Sequence, residues 1–86
     1  MTIWKYELNT EIRMPKGAII ISTALQNGSI CIWAMVEPEN PKETRRFAAL
    51  QTGEQMAYPV HNYVFVGTIL ETQNYVLHIF EYLPNA

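Results

Sequence analysis

Apolar residues along this chain recur mostly at every second position, the period of strands with one buried face, and turn residues interrupt them at short intervals. The clearest stretch is AIIISTALQNGSICIWAMVE, residues 18 to 37, in which Asn27-Gly28 separates two runs rich in β-branched residues. A type I′ turn needs positive φ at both central positions, so Asn-Gly predicts a two-residue hairpin and with it a register. The opposed pairs become Gln26/Ser29, Leu25/Ile30, Ala24/Cys31, Thr23/Ile32, Ser22/Trp33, Ile21/Ala34, Ile20/Met35 and Ile19/Val36. Opposed residues share a face. Leu25, Ile30, Thr23, Ile32, Ile21, Ala34, Ile19 and Val36 then form an aliphatic core face, while Ala24, Cys31, Ser22, Trp33, Ile20 and Met35 lie on a second, half-covered one.

The flanking segments follow the same period. Residues 2 to 8 place Trp4, Tyr6 and Leu8 on one side, with Trp4 and Tyr6 expected to help close the core; EIRM at 11 to 14 points Ile12 and Met14 inward. Pro15 removes a backbone donor and stops regular pairing, and Lys16-Gly17 supplies a turn. EPENPKE, 37 to 43, carries two prolines and four charges and reads as a loop. TRRFAALQT, 44 to 52, reads as a strand with Arg45, Phe47, Ala49 and Gln51 on one face and Thr44, Arg46, Ala48 and Leu50 on the other. Residues 53 to 62 read as an ordered loop with Tyr58 and Val60 packed down, and Tyr58-Pro59 as a bond with raised odds of the cis form. YVFVGTILE and YVLHIFEY make a second hairpin across Thr72-Gln73-Asn74. With Gln73-Asn74 as the turn, Leu70/Leu77, Thr68/Ile79 and Val66/Glu81 share one face and Ile69/His78, Gly67/Phe80 and Phe65/Tyr82 the other; LPNA is a short tail.

The expected architecture is a single small antiparallel all-β domain, a meander sandwich or open barrel of about six strands, with a short helix near 47 to 58 as the alternative for that stretch. Eighty-six residues suffice for one modest core. A hydrophobic share of 49% against 16% charged residues exceeds what so small a core absorbs, which points to a homo-oligomer or another partner on the leftover surface. The net charge of -2 argues against nucleic acid, whose binding requires a basic stripe. Cys31 is the only cysteine, so neither an intrachain disulfide nor a cysteine zinc site is expected. No apolar run approaches the roughly 18 residues of a spanning helix, and MTIWKYEL lacks the charged and apolar regions of an export signal. These features place the chain in the cytoplasm, away from membranes.

Little in the sequence suggests catalysis. His61 and His78 have no acidic or histidine neighbour at ligand spacing, so a structural role is preferred to a metal site and no cofactor is expected. Cys31 sits among small and aromatic neighbours rather than cations, which favours inert packing over a thiol nucleophile. Paired carboxylates, a phosphate-binding glycine loop and a nucleophile elbow are all missing. Arg45-Arg46 is the more informative pair. In a strand one of the two must meet a packed layer, where a guanidinium requires an acceptor: Glu37, Glu39 or an anionic ligand. A solvated pair beside the acidic loop is the plainer alternative. The functional reading is an anion or nucleotide site in which Arg45 or Arg46 clamps phosphate and Trp33, Phe47 or Tyr58 stacks on a base. A lone strand tryptophan more often packs than binds.

The succession WKYEL, MPKGA, QNG, CIWAMVEPENP, ETRRF, TG, YVFVGTI and LHIFE resembles a family of uncharacterised small domains encoded by bacteriophages and prophages. The resemblance covers most of the chain, is weakest over 53 to 62, and carries no activity. It implies a phage-encoded protein acting in the host bacterial cytoplasm. The expectation is a non-enzymatic, homo-oligomeric binding protein that counters host defence by sequestering a small anionic, nucleotide-like signal. Its ligand residues are Arg45, Arg46, Trp33, Phe47 and Tyr58, and its subunit interface is formed by Ile20, Trp33 and Met35. The alternatives are a module that binds and inhibits a host or phage protein, and a minor virion component.

Overall fold

The computed structural model describes residues 1 to 72 and 74 to 84. Seven strands form two antiparallel sheets: β1 (Thr2–Glu7), β2 (Glu11–Pro15), β3 (Ile19–Gln26), β4 (Ser29–Val36), β5 (Lys42–Gln51), β6 (Tyr63–Thr72) and β7 (Tyr75–Tyr82), with one 3-10 turn at Val60–Asn62 before β6. The three-stranded sheet has the order β1-β4-β3 and the four-stranded sheet the order β2-β5-β7-β6. The all-β antiparallel expectation holds, with seven strands instead of about six. Only β3-β4 and β6-β7 are sequential hairpins; the chain crosses between sheets after β1, β2 and β4, and from β5 to β6 it stays in the four-stranded sheet but passes over the place that β7 fills, because alternation assigns faces to a strand but not partners. The sheets do not close into a barrel. No helix occupies residues 47 to 58, and Tyr58-Pro59 is trans. Among the described residues no helix is long and apolar enough to cross a membrane.

The Asn27-Gly28 turn behaves as its chemistry requires, with φ of 50° and 82°. Five pairs from Gln26/Ser29 to Ser22/Trp33 keep the expected register, and then a bulge at Ile21 shifts it to Ile20/Ala34 and Ile19/Met35. The extra residue exchanges faces beyond it. Ile20 consequently packs against the core instead of joining Trp33 and Met35, while Ile19 and Ile21 are exposed. Nothing in IIIS marks the bulge, since every register of three consecutive isoleucines buries at least one.

The second hairpin departs further. Thr72 faces Tyr75, as a Gln73-Asn74 turn requires, although Gln73 itself lies outside the described residues, as do the last two residues of the LPNA tail. Bulges at Glu71 and Val66 then give Leu70/Val76, Ile69/Leu77, Thr68/His78, Gly67/Ile79 and Phe65/Phe80. The shift moves Ile69 to the core face of Leu77 and Ile79, while the second bulge returns Phe65 to the outer face of His78, Phe80 and Tyr82.

The core lies between the sheets. Ile32, Ala34 and Val36 of β4 meet Ile12 and Met14 of β2, Phe47 of β5, Ile69 of β6 and Ile79 of β7, with Tyr6, Leu8, Ile20, Val66 and Leu77 around them. Each large aliphatic residue buried here contributes about 1.5–3 kcal/mol. Trp4 shares the inner face yet remains at its margin, and Val60 is 77% exposed rather than packed down. Pro15 ends β2 as expected and is fully buried. The turn after it is stitched to the acidic loop, with Lys16 N donating to Pro41 O at 2.8 Å and Asn40 Nδ2 to Lys16 O at 3.0 Å.

Among the described residues the buried Tyr6 hydroxyl has no hydrogen-bond partner. An unsatisfied buried polar atom costs about 1–3 kcal/mol, so Tyr6→Phe should raise the unfolding midpoint. Burial also pushes the Tyr6 phenol above its ordinary pKa. The folded state then holds that proton more tightly than the unfolded one, so this contribution is whole below the ordinary phenol pKa and declines as pH rises through the raised one. Denaturant titrations above about pH 10 should show native stability falling more steeply than that of Tyr6→Phe.

Candidate functional site

Strand period two sends Arg45 and Arg46 to opposite faces of the four-stranded sheet, and the two meet different surroundings. Arg45 points inward, with a side chain 16% exposed. Its Nη2 donates to Glu81 Oε1 at 2.9 Å, its Nε to the other Glu81 oxygen, and its Nη1 to Ala18 O at 2.8 Å. Glu81 is itself buried, at 8%. Glu43 stands 3.6 Å from Nη1 and accepts from Gly17 N at 3.1 Å. The hydrogen bonds that Arg45 donates to Glu81 raise its pKa against the opposing pull of burial, and the Glu81 and Glu43 charges add to the rise. The acceptor that a packed guanidinium requires is therefore Glu81, supported by Glu43, and not Glu37 or Glu39. Arg45 is tied to the fold.

Arg46 faces outward, 48% exposed, with Glu11 of β2 at 3.4 Å. Its row continues across the sheet through Tyr82 to Tyr63, and the next row is Ala48, Phe80 and Phe65. Tyr58 comes down from the loop before β6 and stacks on Tyr82 at 4.5 Å and 30° while staying 52% exposed. Tyr63 meets Phe80 edge-on at 5.7 Å, and Phe65 does so at 5.6 Å. Thr10, Glu11, Arg46, Phe47, Ala48, Tyr58, Tyr63 and Tyr82 enclose a recess of about 380 Å3. Ala48 is the small residue that leaves the space. Phe47 adjoins the recess, but its ring belongs to the core.

Asn62 holds this arrangement together. It is buried, its Nδ2 donates to Leu83 O at 2.8 Å, and Leu83 N donates back to Asn62 O at 2.7 Å. The 3-10 turn that carries it thereby fixes the loop bearing Tyr58 against the end of β7.

Of the five residues expected to bind ligand, the fold brings Arg46 and Tyr58 together. It turns Arg45 and Phe47 to the inner face and leaves Trp33 on the other sheet. Tyr63 and Tyr82 complete the recess; they were legible only as strand aromatics, since alternation groups Tyr82 with Phe80 and His78 without saying which face turns outward, and the face of Tyr63 depends on the β6 bulges. On the three-stranded sheet the outer face carries Trp33 and Met35 with Ile3, Ile19 and Ile21, the last three exposed. Cys31 is buried at the far end of that face, and its Sγ lies 3.8 Å from Ser29 O. His78 has both ring nitrogens within 3.1 Å of hydroxyls, those of Thr52 and Thr68. Among the described residues no three His, Cys, Asp or Glu side chains gather in a way that would hold a metal.

No curated protein and no solved structure matches the chain significantly. A family comparison does find a match, to a domain of unknown function over residues 1 to 86, and the chain belongs to that family, DUF7352.

Proposed function

We propose that this domain is a non-enzymatic binding protein that holds a small anionic, nucleotide-like molecule on the outer face of its four-stranded sheet. The observation that carries this reading is the placement of Arg46, an outward guanidinium at the rim of an aromatic recess. Tyr58, Tyr63 and Tyr82 offer π-faces to a base, and such stacking contributes about 1–3 kcal/mol per base. Arg46 offers its fork to a phosphate. The Glu11 ion pair is exposed on both sides, and pairs of that kind contribute at most about 1 kcal/mol, so an incoming phosphate displaces it readily. The phage-like sequence pattern supports a setting in the host bacterial cytoplasm, where withholding a signalling nucleotide counters defence.

The exposed apolar face of Ile3, Ile19, Ile21, Trp33 and Met35 supports self-association through the three-stranded sheet, and equally a second reading as a module that binds another protein there. Light scattering distinguishes them: a homo-oligomer that Trp33→Ala shifts towards monomer fits the first, and a native monomer removes it.

Thermal-shift and calorimetric titrations with mononucleotides and with cyclic and ADP-ribose-derived nucleotides test the main reading. At least one should bind saturably, and Arg46→Ala should weaken it by about tenfold or more, the equivalent of one charge-assisted contact. No stabilisation by any member of the panel overturns the reading.

A further inference from the structure

A second recess, of about 520 Å3, lies beside the first and shares two walls with it, Arg46 and Tyr82. It opens where β7 stops pairing with β5 at Tyr82 opposite Arg46, so the first residues of β5 run on with only β2 beside them. Its character differs from that of the aromatic recess. Thr44 and Glu43 line it together with Leu83, Pro84 and the Arg45–Glu81 pair, and among the described residues Tyr82 is its only aromatic ring.

Arg46 stands between the two recesses, and a second cation lies beside it on β2. Arg13 of β2 is opposed to Thr44, and Glu11 to Arg46, so Arg13 and Arg46 are diagonal neighbours on the outer face. Arg13 Nη1 donates to Thr44 Oγ1 at 3.2 Å, which holds that guanidinium over the side chain that lines the larger recess. Arg45 also borders the larger recess, but its guanidinium is taken by Glu81 and Ala18 O, which leaves Arg46 and Arg13 as the arginines without a buried carboxylate partner.

Resting on the reading proposed above, we infer that the ligand is two-headed: a nucleoside joined through a pyrophosphate to a polyhydroxylated group, with the pyrophosphate lying across Arg46 and Arg13. The base stacks in the aromatic recess. A sugar suits the larger one, where the Glu43 carboxylate and the Thr44 hydroxyl accept hydrogen bonds from hydroxyl groups. A second base there would meet a single ring. A lone mononucleotide engages Arg46 and leaves Arg13 and the larger recess without a part in binding.

Calorimetry with adenosine monophosphate and with ADP-ribose, on the native protein and on Arg13→Ala and Thr44→Val, tests the inference. ADP-ribose should bind about tenfold or more tightly than the mononucleotide, one additional charge-assisted contact being sufficient for that ratio. Arg13→Ala should narrow the ratio towards one, and Thr44→Val should narrow it less. Equal affinities for the two compounds, or a preference that both substitutions leave intact, overturn the two-headed ligand while the binding reading stands. Failure of both compounds to bind overturns the two-headed ligand, and the reading beneath it falls as well when the whole nucleotide panel gives no stabilisation.

Discussion

Glu81→Ala should destabilise the fold by about 3–5 kcal/mol, because it strands a guanidinium in the layer between the sheets. Arg45 is 16% exposed and donates through Nε, Nη1 and Nη2 to Glu81 of β7 and to Ala18 O in the turn before β3, with Glu43 of its own strand at ion-pair distance. Removing Glu81 leaves the charge desolvated with one carboxylate too distant for a close hydrogen bond. The pair itself need not be a net source of stability, since the desolvation of two ions offsets much of their attraction. Replacing both partners with apolar residues, Arg45→Met with Glu81→Leu, should therefore recover most of the loss. Chemical denaturation of the native protein and the two variants checks both statements. A loss below about 1 kcal/mol for Glu81→Ala would place the pair among solvent-screened surface bridges and contradict the burial.

This pair also marks how far the sequence could be read. Period two alone separates Arg45 from Arg46, and the demand for an acceptor follows from charge and burial. The identity of that acceptor does not follow, because Glu81 lies 36 positions away and reaches Arg45 only through the β5-β7 ladder. Glu37 and Glu39 were the nearer choice in sequence and the wrong one in space. The first hairpin shows the same boundary. Asn27-Gly28 set the register near the turn, where backbone geometry decides it, and lost control of it at Ile21, where three isoleucines make both faces equally acceptable. Ile20 moved inward as a result, while Trp33 and Met35 kept their expected face. Arg13 was readable in principle, since Ile12 and Met14 inward put it outward, but its nearness to Arg46 is a property of the β2-β5 pairing.

Gly67→Ala should cost about 1–3 kcal/mol through overpacking at the seam between the sheets. There β3, an edge strand of one sheet, runs beside β6, an edge strand of the other. A Cβ built on Gly67 would lie 2.7 Å from Thr23 Cγ2, closer than two carbon atoms can approach. Thr23 has little freedom to yield. It is β-branched and therefore stiff at χ1, and its hydroxyl donates to Cys31 O at 2.8 Å. Thr23→Ser removes the methyl group and keeps the hydroxyl, so the double variant should recover stability relative to Gly67→Ala alone. A double-mutant cycle on unfolding free energies gives the coupling. Additive effects would mean that the two strands do not meet as described.

Adjacent arginines turn to opposite faces, Arg45 locked into the fold and Arg46 outward, where in the proposed reading it takes the anion. An NMR experiment that follows the arginine Nε–H groups during titration with adenosine monophosphate tests this directly. The predicted result is an Arg45 signal protected from solvent exchange and unmoved throughout, with an Arg46 signal that shifts to saturation. An Arg45 proton that exchanges freely, or an Arg46 signal that stays still while the nucleotide binds elsewhere, would contradict it.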